Sequence, residues 1–178
     1  MAFRGAGLAG RVRVLVTGPL NPVGSAVVRA LAEEGHEVRA FGVPAGTDPF
    51  HGLENVRCFP GAVQVGGSLE PVASECRALV HCAPLDAPGK DAQAHAFMLE
   101  RGTLYARYAA ERELVGAFVA ALPAAAGPRW GKAVSAARAN AQGTRTLVPT
   151  RIVDAEDAAP VLDAFRELSA HLPASVQV

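Results

Sequence analysis

Short apolar segments alternate with amphipathic segments along the whole chain. The runs at 12–17 and 78–83 have strand length and consist mostly of β-branched or other apolar residues, which is typical of buried strands. After the first run, Val23, Val27 and Leu31 recur at helical spacing, and Gly35 ends that helix. The pattern predicts six strands, at 12–17, 37–43, 56–59, 78–83, 117–122 and 146–153.

Helices are predicted between these strands. After the helix that begins at Val23, they lie at 68–75 with Ser68 as N-cap, at 91–113 with an interruption left open at Gly102, at 130–141 and at 156–170. Alternating strands and helices favour a parallel sheet with helices on both faces. We therefore expect one doubly wound α/β domain of about six strands at 11–172, with a flexible lead-in at 1–10 and a tail at 173–178.

Composition narrows the function classes. Of the 178 residues 50% are hydrophobic and 19% charged, and the formal net charge is zero. A globular chain without a basic surplus is not expected to bind nucleic acid or a membrane surface. Neither a membrane-spanning run nor a signal peptide is apparent, so a cytoplasmic location is expected. The three cysteines and five histidines are scattered, which argues against a disulfide framework and against a metal site.

A glycine-containing turn follows the first predicted strand. Thr17, Gly18 and Gly24 match the pattern TGxxGxxG, with Asn21 in place of the middle glycine. The segment 12–28 resembles the opening of the short-chain dehydrogenase/reductase family. In that family the glycines let the backbone approach a pyrophosphate at the helix N-terminus.

Further segments resemble the extended, epimerase/dehydratase-like branch of the same family. They lie in the same order over about residues 12–165: the entry to strand two at 31–40, Val-His-Cys-Ala at 80–83, Gly-Thr at 102–103, and the segments 116–119 and 147–153. The resemblance implies a Rossmann-like NAD(P)-binding fold. The cofactor-binding residues it implies are Thr17, Gly18, Asn21, Val23, Gly24, His81, Cys82 and Ala83.

Several expected cofactor contacts are missing. Asparagine tolerates a left-handed backbone at position 21, but we expect its side chain to occupy the space that the cofactor phosphate needs. The acid that ends strand two in NAD-using relatives is replaced by Gly42 or Val43, and their Gly-Asp after strand three reads Gly61-Ala62. We expect binding of NAD or NADP to be weakened or lost. The chain also lacks the length that extended members use for a substrate-binding lobe.

The Tyr-x-x-x-Lys pair of the family is absent. The only lysines are Lys90 and Lys132, and the residues four positions before them are Asp86 and Pro128. A lysine on the same helical face would lower the tyrosine pKa and so allow acid–base chemistry near neutral pH. No catalytic residue is therefore assigned.

The pair most similar to Tyr-x-x-x-Lys is Tyr108-x-x-x-Arg112. This pair lies in the helix before the one that carries the catalytic pair in the family. The alternative is that Tyr108 packs against a neighbouring helix. The other candidates each have a structural alternative. They are His81 at a strand end where open sheets bind ligands, Cys82 as a thiol, Trp130 as a partner or ligand contact, and the carboxylates Asp154, Glu156 and Asp157.

The interpretation favoured by these patterns is a catalytically degenerate relative that acts as a ligand-binding, regulatory or scaffolding protein. The alternatives are an active NAD(P)-dependent oxidoreductase or nucleotide-sugar epimerase/dehydratase with non-standard catalytic residues, and another chemistry in the same crevice. The helices at 91–113 and 130–141 carry more apolar surface than a sheet face needs. They predict a homodimer, or a heteromer with a related protein.

Overall fold

Strands and helices alternate in the computed structural model, which describes residues 10–83, 92–123, 128–143, 148–154 and 156–172. Numbered in chain order, the strands are β1 (Arg13–Thr17), β2 (Glu37–Phe41), β3 (Val56–Phe59), β4 (Ala78–Cys82), β5 (Ala117–Leu122) and β6 (Thr150–Asp154). The helices are α1 (Pro22–Glu33), α2 (Glu70–Ala73), α3 (Ala92–Arg112), α4 (Pro128–Gln142) and α5 (Ala158–Ser169).

The six strands form one parallel sheet in the order β3-β2-β1-β4-β5-β6. The chain runs outward from β1 to β3, then returns to the other side of β1 with β4. This is the strand order of doubly wound dinucleotide-binding domains, whose ligand crevice lies where the order reverses. The predicted doubly wound α/β fold is confirmed, and its switch point lies between β1 and β4.

Both faces of the sheet are buried, because successive strand residues point to opposite sides. Val14 and Val16 of β1 pack in the core beneath α1 and α5. Leu15 of β1 and Phe118 of β5 belong to the opposite core, beneath α3 and α4. Every residue of β4 and β5 is buried, so these central strands divide the two cores.

One local prediction was wrong, and one open alternative did not occur. The predicted cap Ser68 does not cap α2: its hydroxyl donates to the carbonyls of Ala62 (2.9 Å) and Val65 (2.7 Å), and Leu69 precedes the helix without a side-chain cap. The interruption left open at Gly102 does not occur, because α3 is continuous through it.

Some predicted features lie outside the described residues. They are residues 1–9 of the lead-in, the tail at 173–178, the start of the last predicted strand at 146–147, and Lys90. Among the described helices, none is both long and apolar enough to cross a bilayer.

The central position of β5 can be tested with two matched substitutions. Leu122 of β5 is fully buried, whereas Leu114, which follows α3, is 73% exposed. We expect Leu122→Ala to lower the free energy of unfolding by about 2–5 kcal/mol, and Leu114→Ala by no more than about 0.5 kcal/mol. Urea denaturation measures both, and equal losses would contradict the placement of β5 in the core.

Candidate functional site

The turn between β1 and α1 lies directly against the end of β4. Gly18 has a φ of +68°, and a Cβ there would lie 2.0 Å from the Cys82 carbonyl oxygen. A Cβ at Gly24 would lie 1.9 Å from the Gly18 carbonyl oxygen. Only glycine fits at either place. These two residues of the predicted motif therefore allow the close backbone approach that the motif requires.

Asn21 is the N-cap of α1. Its Oδ1 accepts from the Gly24 N–H at 2.7 Å, and its Nδ2 donates to the carbonyls of Cys82 (3.2 Å) and Ala83 (3.4 Å). Its φ is −76°, so the tolerance of asparagine for a left-handed backbone is not used here. The side chain instead bridges the start of α1 to the end of β4.

This arrangement leaves few donors for an anion at the start of α1. Pro22 at the first helical position has no N–H, and the N–H of Gly24 at the third donates to Asn21 Oδ1. Among the first three helical residues as described, only Val23 keeps an N–H without an acceptor. Helix N-termini bind anions through several such N–H groups. The motif therefore keeps its shape, but two of the first three helical residues offer no N–H to an anion.

A cavity of about 300 Å³ opens beside this turn, at the carboxyl ends of β1, β2 and β4. It is lined by residues 18–21, 41–42, 61–64 and 81–82, and by Met98 of α3. No lysine, arginine, aspartate or glutamate is among these described lining residues, and apolar surface predominates. The structure thus places a pocket with an uncharged described lining at the switch point, where open α/β sheets bind ligands.

The end of β2 offers the pocket no carboxylate. Gly42 lines the cavity with a φ of +106°, and Val43 is buried away from it. Both N–H groups donate to the Phe59 carbonyl, at 2.9 and 3.1 Å. Beyond β3, the lining residue is Ala62. The positions where the family resemblance implies contacts to ribose and adenine therefore carry no polar side chain.

A buried hydrogen-bonded chain lies beneath the cavity. The Thr17 Oγ1 is 2.7 Å from His81 Nδ1, His81 Nε2 is 3.1 Å from Thr103 Oγ1, and the Thr103 hydroxyl donates to the Leu99 carbonyl at 2.7 Å. Because the Thr103 proton is used in that last bond, Thr103 Oγ1 accepts from the Nε2–H of His81. His81 Nδ1 then accepts from the Thr17 hydroxyl. His81 is thus satisfied by two side chains, not by backbone.

Burial determines the protonation of the two residues at the end of β4. It lowers the pKa of His81 to about 4 and raises the pKa of the Cys82 thiol to about 12. At neutral pH the histidine is therefore neutral and the cysteine protonated. A protonated, buried thiol is a poor nucleophile. Cys82 behaves as a small core residue.

Tyr108 and Arg112 do not reach the cavity. Tyr108 lies ten residues after Met98, which lines the cavity. At a rise of 1.5 Å per residue, the two are about 15 Å apart along the axis of α3. The Arg112 guanidinium stacks 5.6 Å from the centre of the Tyr108 ring, and its Nη1 donates to Glu70 at 3.2 Å. The pair therefore packs at the far end of the sheet.

Two of the carboxylate candidates have structural roles. Asp157 caps α5, because its Oδ1 accepts from the Ala159 N–H at 2.9 Å, and Asp154 pairs with Arg138. Among the residues with described positions, no three histidine, cysteine or acidic side chains converge as metal ligands. The side chain of Trp130 lies outside the description.

Sequence reasoning missed Gln64 and Met98 as lining residues and Thr103 as the partner of His81. For Thr103 a signal existed, because it lies four residues after Leu99 and a threonine often bonds back to that carbonyl. For the lining residues no local signal exists, since the cavity assembles segments far apart in the chain.

No family model and no curated protein sequence matches the chain. Solved structures match its fold. The Bordetella bronchiseptica enzyme WbmG in complex with NAD superposes with a TM-score of 0.70 at 19% identity, covering 86% of this chain and 55% of WbmG. A short-chain dehydrogenase/reductase superfamily protein from Agrobacterium tumefaciens with bound NAD gives 0.65 at 22% identity, covering 80% and 48%.

UDP-glucose 4-epimerase from Thermotoga maritima, with UDP-glucose, gives a TM-score of 0.64 at 15% identity, covering 80% of this chain and 54% of the epimerase. The chain therefore spans about half the length of these proteins. The chain has the Rossmann-like fold of these structures, as the resemblance implied.

The burial of His81 predicts a pH dependence of stability. Its pKa of about 4 in the folded chain is below the ordinary value of 6.5, so between these values the unfolded chain binds a proton that the folded chain does not. Stability is complete above about pH 6.5 and falls by about 3 kcal/mol as the pH drops to about 4.

Urea denaturation at several pH values measures this slope. We expect His81→Gln to flatten it, and His51→Gln, at a side chain 93% exposed, to leave it unchanged. The buried assignment of His81 fails if the slope is the same in all three proteins.

Proposed function

We propose that this chain is a short-chain dehydrogenase/reductase-related protein that binds a small ligand at the switch-point cavity and does not catalyse Tyr/Lys-dependent hydride transfer. The observation that carries the proposal is the cavity itself. It lies where the fold binds ligands, yet no side chain among its described lining residues is placed and charged to move a proton. A role in ligand binding, regulation or scaffolding follows.

The side chains around the cavity support the proposal that Tyr/Lys-dependent hydride transfer is absent. Both nitrogens of His81 are occupied by hydrogen bonds, and the Cys82 thiol stays protonated. The side chains of Asn21 and Gln64 are amides, which do not titrate. Tyr108, the only tyrosine with a basic residue four positions on, lies about 15 Å along α3 from the cavity.

Weak binding of NAD and NADP belongs to the same proposal. Asn21, Gly42 and Ala62 each remove a contact that the family resemblance implies. Each lost hydrogen bond costs roughly 0.5–1.5 kcal/mol. Two or three such losses weaken binding by about one to three orders of magnitude, since 1.4 kcal/mol is tenfold.

A second candidate is an active NAD(P)-dependent oxidoreductase or nucleotide-sugar epimerase with other catalytic residues. One observation favours it: Gly18 and Gly24 retain the close turn geometry of a dinucleotide-binding motif. The fold shared with the NAD complex of WbmG agrees with this candidate.

We also propose self-association through α3 and α4, or pairing with a related protein through the same face. Phe97 (52%) and Met98 (37%) of α3 are exposed apolar side chains. On α4, Ala133 and Ala137 are buried and so contribute to packing within the chain, whereas Ala139 is exposed. The surface available to a partner is therefore centred on α3.

The absence of oxidoreduction can be measured directly. We expect the purified protein to show no change in nicotinamide absorbance with NAD(H) or NADP(H) and generic alcohols, sugars or ketones, because the cavity's described lining offers no tyrosine, lysine or carboxylate and His81 has both ring nitrogens in hydrogen bonds. Calorimetry should show either cofactor binding more weakly than low micromolar. A turnover that survives repurification and disappears in Tyr108→Phe contradicts the proposal, as does tight cofactor binding.

Light scattering tests the assembly. We expect about twice 18.4 kDa for the wild-type chain. Phe97→Glu should shift the mass towards the monomer, because it places a charge on the exposed face of α3. Val65→Glu, at a similarly exposed residue (56%) outside both helices, is the matched control and should leave the mass unchanged. A wild-type monomer at high micromolar concentration that captures no related protein contradicts this part.

A further inference from the structure

The outer side of the edge strand β6 is not covered by any described strand. Within the described part of the chain the sheet ends at β6, which pairs with β5 alone. The Phe118 N–H donates to the Pro149 carbonyl at 2.9 Å, and alternate residues of a strand in a parallel sheet bond to the same neighbour. Thr150 and Ile152 therefore direct their N–H and carbonyl groups away from β5. An edge of this kind is a template for one more strand.

A second cavity, of about 630 Å³, lies along this edge. Thr150 and Ile152 line this edge groove from the strand, and Arg138 lines it from α4. Arg151 lines it as well, although its side chain points to the other face of the sheet, where it bonds to Glu167 of α5 at 2.6 Å. Because residues of both faces bound the groove, it follows the free edge of β6 and not one face of the sheet.

The charged residues in the described lining of the edge groove are both arginines. The side chains of Arg138 and Arg151 are 39% and 49% exposed, and each bonds to one carboxylate of the chain, that of Asp154 or Glu167, through Nη2. The Nε and Nη1 groups of both have no hydrogen-bond partner among the described residues. Such groups can engage a second carboxylate. The edge groove therefore favours an occupant with acidic side chains.

We infer that β6 binds an extended acidic segment of another protein, which adds to the sheet as a further strand. The backbone of the segment pairs with Thr150 and Ile152, and its carboxylates bond to Arg138 and Arg151. In strand addition the backbone hydrogen bonds give affinity and the side-chain contacts give specificity. Because β6 lies two strands beyond β4, the site is separate from the switch-point cavity and goes beyond the proposed function.

Fluorescence anisotropy with labelled peptides tests the charge of the occupant. The probe is a capped peptide of about six residues in which glutamate and valine alternate, which is long enough to cover the five residues of β6. We expect saturable binding. Lysine in place of glutamate should weaken it by about tenfold or more, because attraction to two arginines becomes repulsion.

Two N-methylated versions of the glutamate peptide separate strand addition from simple charge attraction. One version carries methyl groups on the odd residues and the other on the even residues, so both keep the same side chains and charge. In an added strand only one of these sets directs its N–H groups towards β6. We expect one version to bind like the unmethylated peptide and the other to lose binding.

Ile152→Pro and Ile152→Ala are a matched pair of variants of the protein. Both reduce the same side-chain packing, but only proline removes an N–H from the outer side of β6, and an edge strand tolerates proline where the N–H faces outward. We expect Ile152→Pro to abolish peptide binding and Ile152→Ala to retain it. Circular dichroism verifies that both are folded, and the methylated peptides decide if Ile152→Pro is not.

Arginine variants test the side-chain contacts. We expect Arg138→Gln and Arg151→Gln each to weaken binding of the glutamate peptide by about two- to fivefold, the range for partly exposed ion pairs. Arg57→Gln makes the same substitution on β3, at the other edge of the sheet, and should leave binding unchanged.

The inference is overturned if the wild type shows no saturable binding of the glutamate peptide, if the lysine peptide binds equally well, or if both methylated peptides bind alike. Equal effects of Arg57→Gln and the two groove variants overturn it as well. A lower molecular mass of Ile152→Pro in light scattering assigns the edge to a second copy of the chain, which also contradicts it. Turnover of a nicotinamide cofactor, which contradicts the proposed function, leaves these outcomes unaffected.

Discussion

The site depends on the contact between the turn after β1 and the carboxyl end of β4. Gly18 approaches the Cys82 carbonyl so closely that no side chain fits, and Gly24 approaches Gly18 in the same way. These contacts determine where α1 begins relative to the sheet. The cavity follows from them, because β2 and the segment 61–64 lie on the far side of the same turn. A larger residue at either glycine would displace α1 and the cavity wall together.

Asn21 reinforces this contact and changes what it can bind. One carboxamide caps α1 and bonds to two carbonyls of the β4 end. The same bonds that stabilise the turn use donors that an anion would need. A glycine at position 21 would remove the hydrogen bonds that join the turn to the end of β4, and it would leave the Gly24 N–H accessible. The weak cofactor binding that we propose and the stability of the turn thus have one physical cause.

The polar chain through Thr17, His81 and Thr103 ties β1, β4 and α3 together under the cavity floor. A histidine at the end of a central strand is well placed for catalysis, yet here both ring nitrogens are committed and burial keeps the ring neutral. Thr17 and His81, at the ends of β1 and β4, therefore stabilise the packing of the sheet against α3. Apart from His81 and Cys82, the described lining of the cavity consists of backbone groups, the amides of Asn21 and Gln64, and apolar side chains.

The strands and the glycine turn could be predicted from sequence, because apolar periodicity and the need for glycine at a tight turn are local properties. The boundaries of β3 and β5 agree with prediction for that reason. Ser68 was assigned a cap wrongly because its hydroxyl finds carbonyls in the preceding loop, which local pattern does not reveal. Only the tertiary structure decided which side chains His81 contacts and where the Asn21 side chain points. It also decided that Gln64 and Met98 line the cavity and that Tyr108 lies far from it. Each depends on how segments distant in sequence pack across the sheet, and no short window of residues contains that packing.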